Sequence, residues 1–178
     1  MKEDGRIVAF SSGVLIMRLV IGLALVLHGG QVMFQWWSGL GMQEYANYLE
    51  LQGLDFFIGP LGWAWVIALA QFVGGILLVF GLLTRLTAFV NAIVLVLIFS
   101  VIEMEAGFFI SMPGLSDTGD VVMNYLGGGE YSVVLAGVLA GLFLTGAGKY
   151  SLDSGFAVKP RKPKAEAEPK PAEPPKTE

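Results

Sequence analysis

Residues 64–102 read AWVIALAQFVGGILLVFGLLTRLTAFVNAIVLVLIFSVI, and this stretch is the key to the architecture. It holds one charge, Arg85. On each side of the Gly81-Leu82-Leu83-Thr84-Arg85 run lie about 20 apolar residues, enough for a helix to cross a hydrocarbon core of about 30 Å. So short a link forces the two helices to run antiparallel side by side. Arg85 then marks one face of the bilayer.

Two further apolar runs flank this pair, at about 13–37 and 131–148. The basic residues follow the same division. Lys2 and Arg6 precede the first run, and Lys149, Lys159, Arg161, Lys162, Lys164, Lys170 and Lys176 follow the last. The long links 38–60 and 107–130 contain no Lys or Arg. Cytoplasmic segments of membrane proteins are enriched in these residues. The expected fold is all-α: an integral membrane four-helix bundle with both termini in the cytoplasm, in the plasma (inner) membrane. Arg18 is the exception, inside the first run.

Composition agrees. The 178 residues are 54% hydrophobic and 15% charged, with a mean hydropathy of +0.67. The net charge of −4 averages a basic inner face with an acidic outer one, where Glu44, Glu50, Asp55, Asp117, Asp120 and Glu130 lie. Nothing points to nucleic acid. The absence of cysteine excludes a disulfide framework and thiol chemistry by this chain. One histidine would need carboxylates beside it to hold a metal, and no metal site is expected. The first run is read as a retained helix, not a signal peptide. It is long, it is interrupted by Arg18 and His28, and Trp36 and Trp37 follow where small residues would mark cleavage.

The expected organisation is a cytoplasmic N-terminus (1–12), a four-helix domain (13–153) and a disordered Pro/Lys/Glu-rich tail (154–178). Trp36, Trp37, Trp63 and Trp65 suit the outer lipid–water boundary. Residues 41–51 mix Tyr45, Tyr48, Leu49 and Leu51 with polar residues at helical spacing. They form either a short interfacial helix or an ordered loop, and the helix is adopted. In the second outer link Pro113-Gly114 reads as a turn. The tail cannot bury enough apolar surface to fold. Gly74, Gly75, Gly137 and Gly141 are assigned to close packing of helices within the chain.

Polar groups within hydrocarbon are costly, so each needs a partner or a purpose. Counting from the helix ends places Arg18 and Asn91 in the cytoplasmic third. His28 and Gln71 lie near midplane, and Gln31, Gln35 and Glu103 nearer the outer surface. His28, Gln71 and Gln31 either line a cavity open to the outside or bond across helices to fix their register. In a cavity, His28 would relay protons for a redox carrier such as a quinone, and Glu103 would extend that relay to water. Arg18 either snorkels, pairs with Asn91 and helix-end carbonyls, or binds an anionic ligand as part of the polar cavity.

These residues carry a resemblance. Arg18, Gly22 and His28-Gly29, then Gly74-Gly75 through Gly81-Leu82-Leu83-Thr84-Arg85, Glu130-Tyr131, and Gly146-Ala147-Gly148-Lys149-Tyr150-Ser151-Leu152-Asp153 resemble the DoxX family over about residues 13–153. Gln71 stands where that family often has Glu, and Gln31 and Phe34 occupy a stretch where it often has Lys. The resemblance implies small four-helix membrane proteins. Some look like subunits of a thiosulfate:quinone oxidoreductase. Others are linked to membrane complexes with a superoxide dismutase and a sulfurtransferase. In the closing run, Gly146 and Gly148 suit positive-φ caps, and Lys149 suits the negative end of a helix dipole. Tyr150 suits the lipid boundary, and Asp153 would pair with Arg85 or Arg18, clamping the cytoplasmic connections.

The functional expectation is a membrane subunit of a quinone-linked redox complex, with His28 handling protons and Gln71, Gln31 and Arg18 binding the carrier. The chain has no intrinsic cofactor, and quinone is the candidate one. Membrane lipid and a protein partner in the complex are the expected partners. The alternative is a non-catalytic scaffold or assembly factor, and whether the chain is an enzyme stays open. A transporter lacks its usual signs, an inverted repeat and broken helices.

Overall fold

The computed structural model describes residues 2–104, 108, 111–115, 121–125 and 128–156, with side chains from 5 to 104, at 108 and from 128 to 155. Its elements are α1 (Lys2–Phe34), a 3₁₀ turn (Trp36–Ser38), α2 (Met42–Leu51), α3 (Gly59–Phe80), α4 (Thr84–Ile98), a π-helical turn (Phe99–Glu103), β1 (Ser111–Leu115), β2 (Val121–Tyr125), α5 (Glu130–Thr145) and α6 (Leu152–Phe156). Three helical stretches are long and apolar enough to cross a membrane: Gly5–Phe34, Gly59–Phe80 and Thr84–Glu103. α5 is equally apolar but has 16 residues. At about 1.5 Å per residue it is the shortest of the four.

These helices pack in cyclic order: α1 on α3, α3 on α4, α4 on α5, and α5 back on α1. Their outer surfaces are apolar, with Val20, Phe80, Ile93 and Leu144 all exposed. In water so continuous an apolar surface would drive association. Facing lipid, it costs nothing.

Glycines set the tightest contact. An ideal Cβ on Gly22 of α1 would lie 2.8 Å from the Gly75 carbonyl oxygen, and one on Gly75 would lie 2.6 Å from that of Gly22. Gly29, two turns along α1, meets the Ala68 carbonyl oxygen of α3 at 2.8 Å in the same way. Small residues let helix backbones approach where no hydrophobic effect drives association. Gly137 and Gly141 differ from expectation. A Cβ on either would meet nothing within 4 Å, because that face of α5 turns outward.

α3 ends in a Schellman motif. Gly81, at φ 66°, donates to Leu78 O and Leu82 donates to Leu77 O. α4 starts at once, so the turn is as tight as predicted.

The core has two apolar clusters. One joins Val14, Ile21 and Leu25 of α1 to Leu78, Leu95, Leu139 and Leu142. The other joins Ala46, Leu49 and Leu54 to Ala64, Ile67, Val94 and Ile102. α2 is therefore the predicted short helix, but it is docked: Leu49 and Leu54 are fully buried against α3.

Two details differ from the sequence reading. A two-stranded antiparallel hairpin interrupts the helical order, pairing Ser111 with Tyr125 and Leu115 with Val121. Pro113 and Gly114 lie within β1, so they are not the turn. The link between the strands lies outside the described residues. Proline, lacking an N–H, is tolerated because both strands of such a ribbon are edges. Second, α1 begins at Lys2, well before the apolar run. α6 carries the described chain to Phe156, and the tail from 157 onward lies outside the described residues.

Candidate functional site

A cavity of about 290 Å³ opens where the two apolar clusters meet. Leu25 and Leu95 line it from the first cluster and Ile102 from the second. Three of the residues singled out from sequence converge there: His28 and Gln31 of α1, one turn apart, and Gln71 of α3. Gln71 is buried, while His28 and Gln31 stand along the open side.

The opposite wall comes from α4 and α5. The π-helical turn widens the end of α4, and its last ladder bond runs from Met104 N–H to Phe99 O at 2.8 Å. Such turns insert an extra residue and re-aim side chains. Here the turn ends on Glu103, which lines the cavity. Ser132 of α5, itself buried, hydrogen-bonds the Glu103 carboxyl. Tyr131 of α5 sets its ring 5.0 Å from that of His28, centroid to centroid, at 44°.

α2 forms the roof with Tyr45 and Tyr48, whose rings stack at 6.3 Å. Burial pushes the Tyr45 hydroxyl up to about 12, with smaller pushes from Tyr48 and Glu103. Tyr48 is raised by burial and by Glu103. Both stay neutral phenols at ordinary pH.

Two buried oxygens lining this cavity have no hydrogen-bond partner among the described residues: Glu103 Oε2 and the Tyr131 hydroxyl. Buried polar groups are nearly always paired, so an unpaired one calls for a ligand or water. Donors and acceptors thus surround an apolar-walled space without any Lys or Arg. It can grip a neutral ring-sized molecule through its oxygens.

Sequence layering put Glu103 near this region but gave no reason to add Tyr45, Tyr48, Tyr131 or Ser132. Tyr131 had one available signal: as the opening residue of the fourth helix it stands at the outer level, like Glu103.

Arg18 lies elsewhere, which corrects its assignment to the polar cavity. It is fully buried near the middle of α1, nearly three turns before His28. Its Nη1 donates to Ala147 O at 2.7 Å and its Nη2 to Tyr150 O at 2.6 Å. The guanidinium is committed to chain carbonyls after α5 and has no reach toward the cavity. Asn91 is not its partner either: that amide donates to Thr87 O at 2.9 Å and packs on Gly74.

Around Arg18 the closing run is tied to the α3–α4 turn. Asp153 N–H donates to Gly81 O at 2.9 Å. The Asp153 carboxylate accepts from Leu83 N–H at 2.8 Å and Thr84 N–H at 2.9 Å. It therefore caps the N-terminus of α4 and does not form the ion pair expected with Arg85 or Arg18, although it attracts Arg18 at longer range. Four N–H groups are orphaned at a helix start, and a carboxylate satisfies two here. Gly146 and Gly148 have φ of 76° and 71°. Arg85 crosses Gly146 and reaches Leu144 O at 3.5 Å. Lys149 O accepts from the Ser154 hydroxyl, and the Tyr150 ring is half exposed.

Comparison with curated proteins and with solved structures gave no match. A family model described as DoxX matches residues 13–104, from the first turns of α1 to just past Glu103. That span covers Arg18, Gly22, His28, Gly29, Gln71, Gly74, Gly75, Gly81 and Arg85, though not the closing run that carried part of the resemblance. With just over half its length matched and three helices fit to cross a bilayer, this chain belongs to the DoxX family of membrane proteins.

Proposed function

We propose that the protein is a four-pass subunit of a quinone-linked redox complex in the plasma membrane, serving sulfur or oxidative-stress metabolism. In this reading α1, α3, α4 with its π turn, and α5 all cross the bilayer, and both termini are cytoplasmic. The middle of α1 at Arg18, the Arg85 turn and the end of α5 gather at one level, as the Arg18 and Asp153 bonds require. That side carries the basic residues. The cavity then opens in the outer half, under α2.

The observation that carries the proposal is this cavity with its two unpartnered oxygens. When bound, a quinone supplies two-electron, two-proton chemistry. His28 and Gln71 are placed to hold its oxygens by hydrogen bonds. Glu103 Oε2 and the Tyr131 hydroxyl, unpartnered among the described residues, would exchange protons with it. The apolar floor of Leu25, Leu95 and Ile102 excludes bulk water. A persulfide or thiol step would need a partner protein, because the chain has no cysteine.

The test is equilibrium binding of a quinol analogue to purified protein. The expected outcome is saturable binding that weakens about tenfold in His28→Ala, from the loss of one hydrogen bond to the ligand. Unchanged binding in the variant, or none in either protein, rejects the role.

A scaffold role is the second reading, favoured by the unoccupied Gly137–Gly141 face of α5. Partners should then co-purify stoichiometrically from membranes, and His28→Ala should leave the phenotype intact.

A further inference from the structure

We propose that the seam between α4 and α5 binds one anionic phospholipid, with its phosphate on Arg85 and an acyl chain in the adjoining apolar groove. The site lies at the end of the molecule away from the outer cavity and does not rest on the quinone reading.

Two hollows share this seam. The first, about 390 Å³, is an apolar groove walled by Phe89, Ile93 and Val96 of α4 and by Ala136, Ala140 and Phe143 of α5. The alanines give it depth, and the Phe89 and Phe143 rings, 5.4 Å apart, form its inner end. The second hollow, about 500 Å³, begins one turn further along α4 and includes Arg85, Leu86, Thr145 and Gly146. Arg85 and Phe89 are four residues apart on one helix face, so the two hollows are neighbours along the seam.

The chemistry changes sharply between them. The groove offers only hydrocarbon. The second hollow offers an exposed guanidinium whose one hydrogen bond among the described residues is the long one to Leu144 O, 3.5 Å. Most of its donors are uncommitted, and guanidinium matches phosphate geometry. Asp153 borders the same hollow, but both its oxygens are engaged by the α4 N-terminus. Thr84, fully buried and lining the same hollow, carries a hydroxyl oxygen with no partner among the described residues. An amphipathic anion fits this order of surfaces. A free phosphate would leave the groove unused, and an apolar partner helix would leave the guanidinium unused. Basic pockets between helices on the cytoplasmic side are suited to anionic headgroups.

The experiment is native mass spectrometry of the full chain released from nanodiscs of equal phosphatidylglycerol and phosphatidylcholine. Retained phosphatidylglycerol should exceed phosphatidylcholine about fivefold, the effect of one basic residue on an anionic lipid. Arg85→Gln should bring the ratio near one, and Ala140→Phe, which fills the groove and leaves Arg85 in place, should lower retention of both lipids. Millimolar inorganic phosphate should not displace the lipid. Equal retention of the two lipids by the wild type overturns the proposal. So does a ratio untouched by Arg85→Gln, or retention untouched by Ala140→Phe. Displacement by free phosphate would identify an anion site without lipid and overturns it as well.

Discussion

The Asp153 carboxylate accepts the backbone N–H of Thr84 at 2.9 Å, across 69 residues of sequence, and that of Leu83 beside it. A side chain beyond the fourth apolar helix thus caps the start of the third. The return bond, Asp153 N–H to Gly81 O, closes the contact from both sides. Removing a capping side chain typically costs about 1–2 kcal/mol. Asp153→Ala should therefore lower the melting midpoint of the detergent-solubilised protein by several degrees. Asp153→Asn, which keeps one acceptor, should lose less. A midpoint for Asp153→Ala equal to wild type would show that the cap is dispensable.

Arg18 makes the second tie, to Ala147 O and Tyr150 O. Hydrogen bonds to charged groups contribute about 1.5–3 kcal/mol each, so Arg18→Met should destabilise by about 3 kcal/mol. Arg18→Lys should recover only part of this, because one ammonium cannot reproduce the fork that reaches both carbonyls. A snorkelling arginine would tolerate lysine fully, so equal thermal stability of Arg18→Lys and wild type would refute the anchor.

Gly81 sits between these ties. It needs a positive φ of 66°, and a methyl group there would collide with Arg18 Nη1 and come within 2.7 Å of Ser151 Cβ. Gly81→Ala should cost about 1–2 kcal/mol for its backbone alone, and more by displacing Arg18. Because both changes break one contact, the double variant Gly81→Ala/Arg18→Met should be less destabilised than the sum of the singles. Strict additivity would mean the two do not share a contact.

Tyr45 gives a pH signature. Its hydroxyl is raised to about 12, chiefly by burial, from an ordinary value near 10. The folded state thus disfavours the ionised form. Stability from burying neutral Tyr45 is fully present below about pH 10 and is lost as pH rises toward 12. Ultraviolet titration should lose one phenol's worth of late-ionising amplitude in Tyr45→Phe. If that amplitude is unchanged in the variant, the roof of the cavity is packed otherwise.

The absence of cysteine makes topology directly accessible. A single cysteine at Glu50 should react with an impermeant maleimide in intact cells, while one at Leu86 should react only after permeabilisation. The reverse pattern would invert the orientation and place the cavity on the cytoplasmic side.

The sequence displays its spans because lipid imposes them: each must be long, apolar and closed by polar turns. Arg85 and the Schellman glycine at Gly81 fix one such turn unambiguously. α2 was readable from the spacing of Tyr45, Tyr48 and Leu49, although burial of Leu49 and Leu54 beneath it was not. Counting depth along helices brought His28 and Gln71 to one level with Gln31 a layer further out, and the three share one cavity. The same counting fails for azimuth. It left helix-end carbonyls as one of several options for Arg18, and it could not tell that Gly137 and Gly141 face outward while Gly22 and Gly75 face each other. The π turn that swings Glu103 inward has no local signature, since its residues suit an ordinary helix equally well. The hairpin was hidden because Pro113-Gly114 reads as a turn wherever it occurs.

The sharpest trial of the cavity is photoaffinity labelling of the membrane-embedded protein with a short-tailed azidoquinone, followed by peptide mapping. Label should concentrate on peptides carrying His28, Glu103 and Tyr131, which meet only in this cavity, and Glu103→Gln/Tyr131→Phe should reduce it at least severalfold. Label spread over the lipid-facing helices, or undiminished in that double variant, would show that the cavity does not receive a quinone.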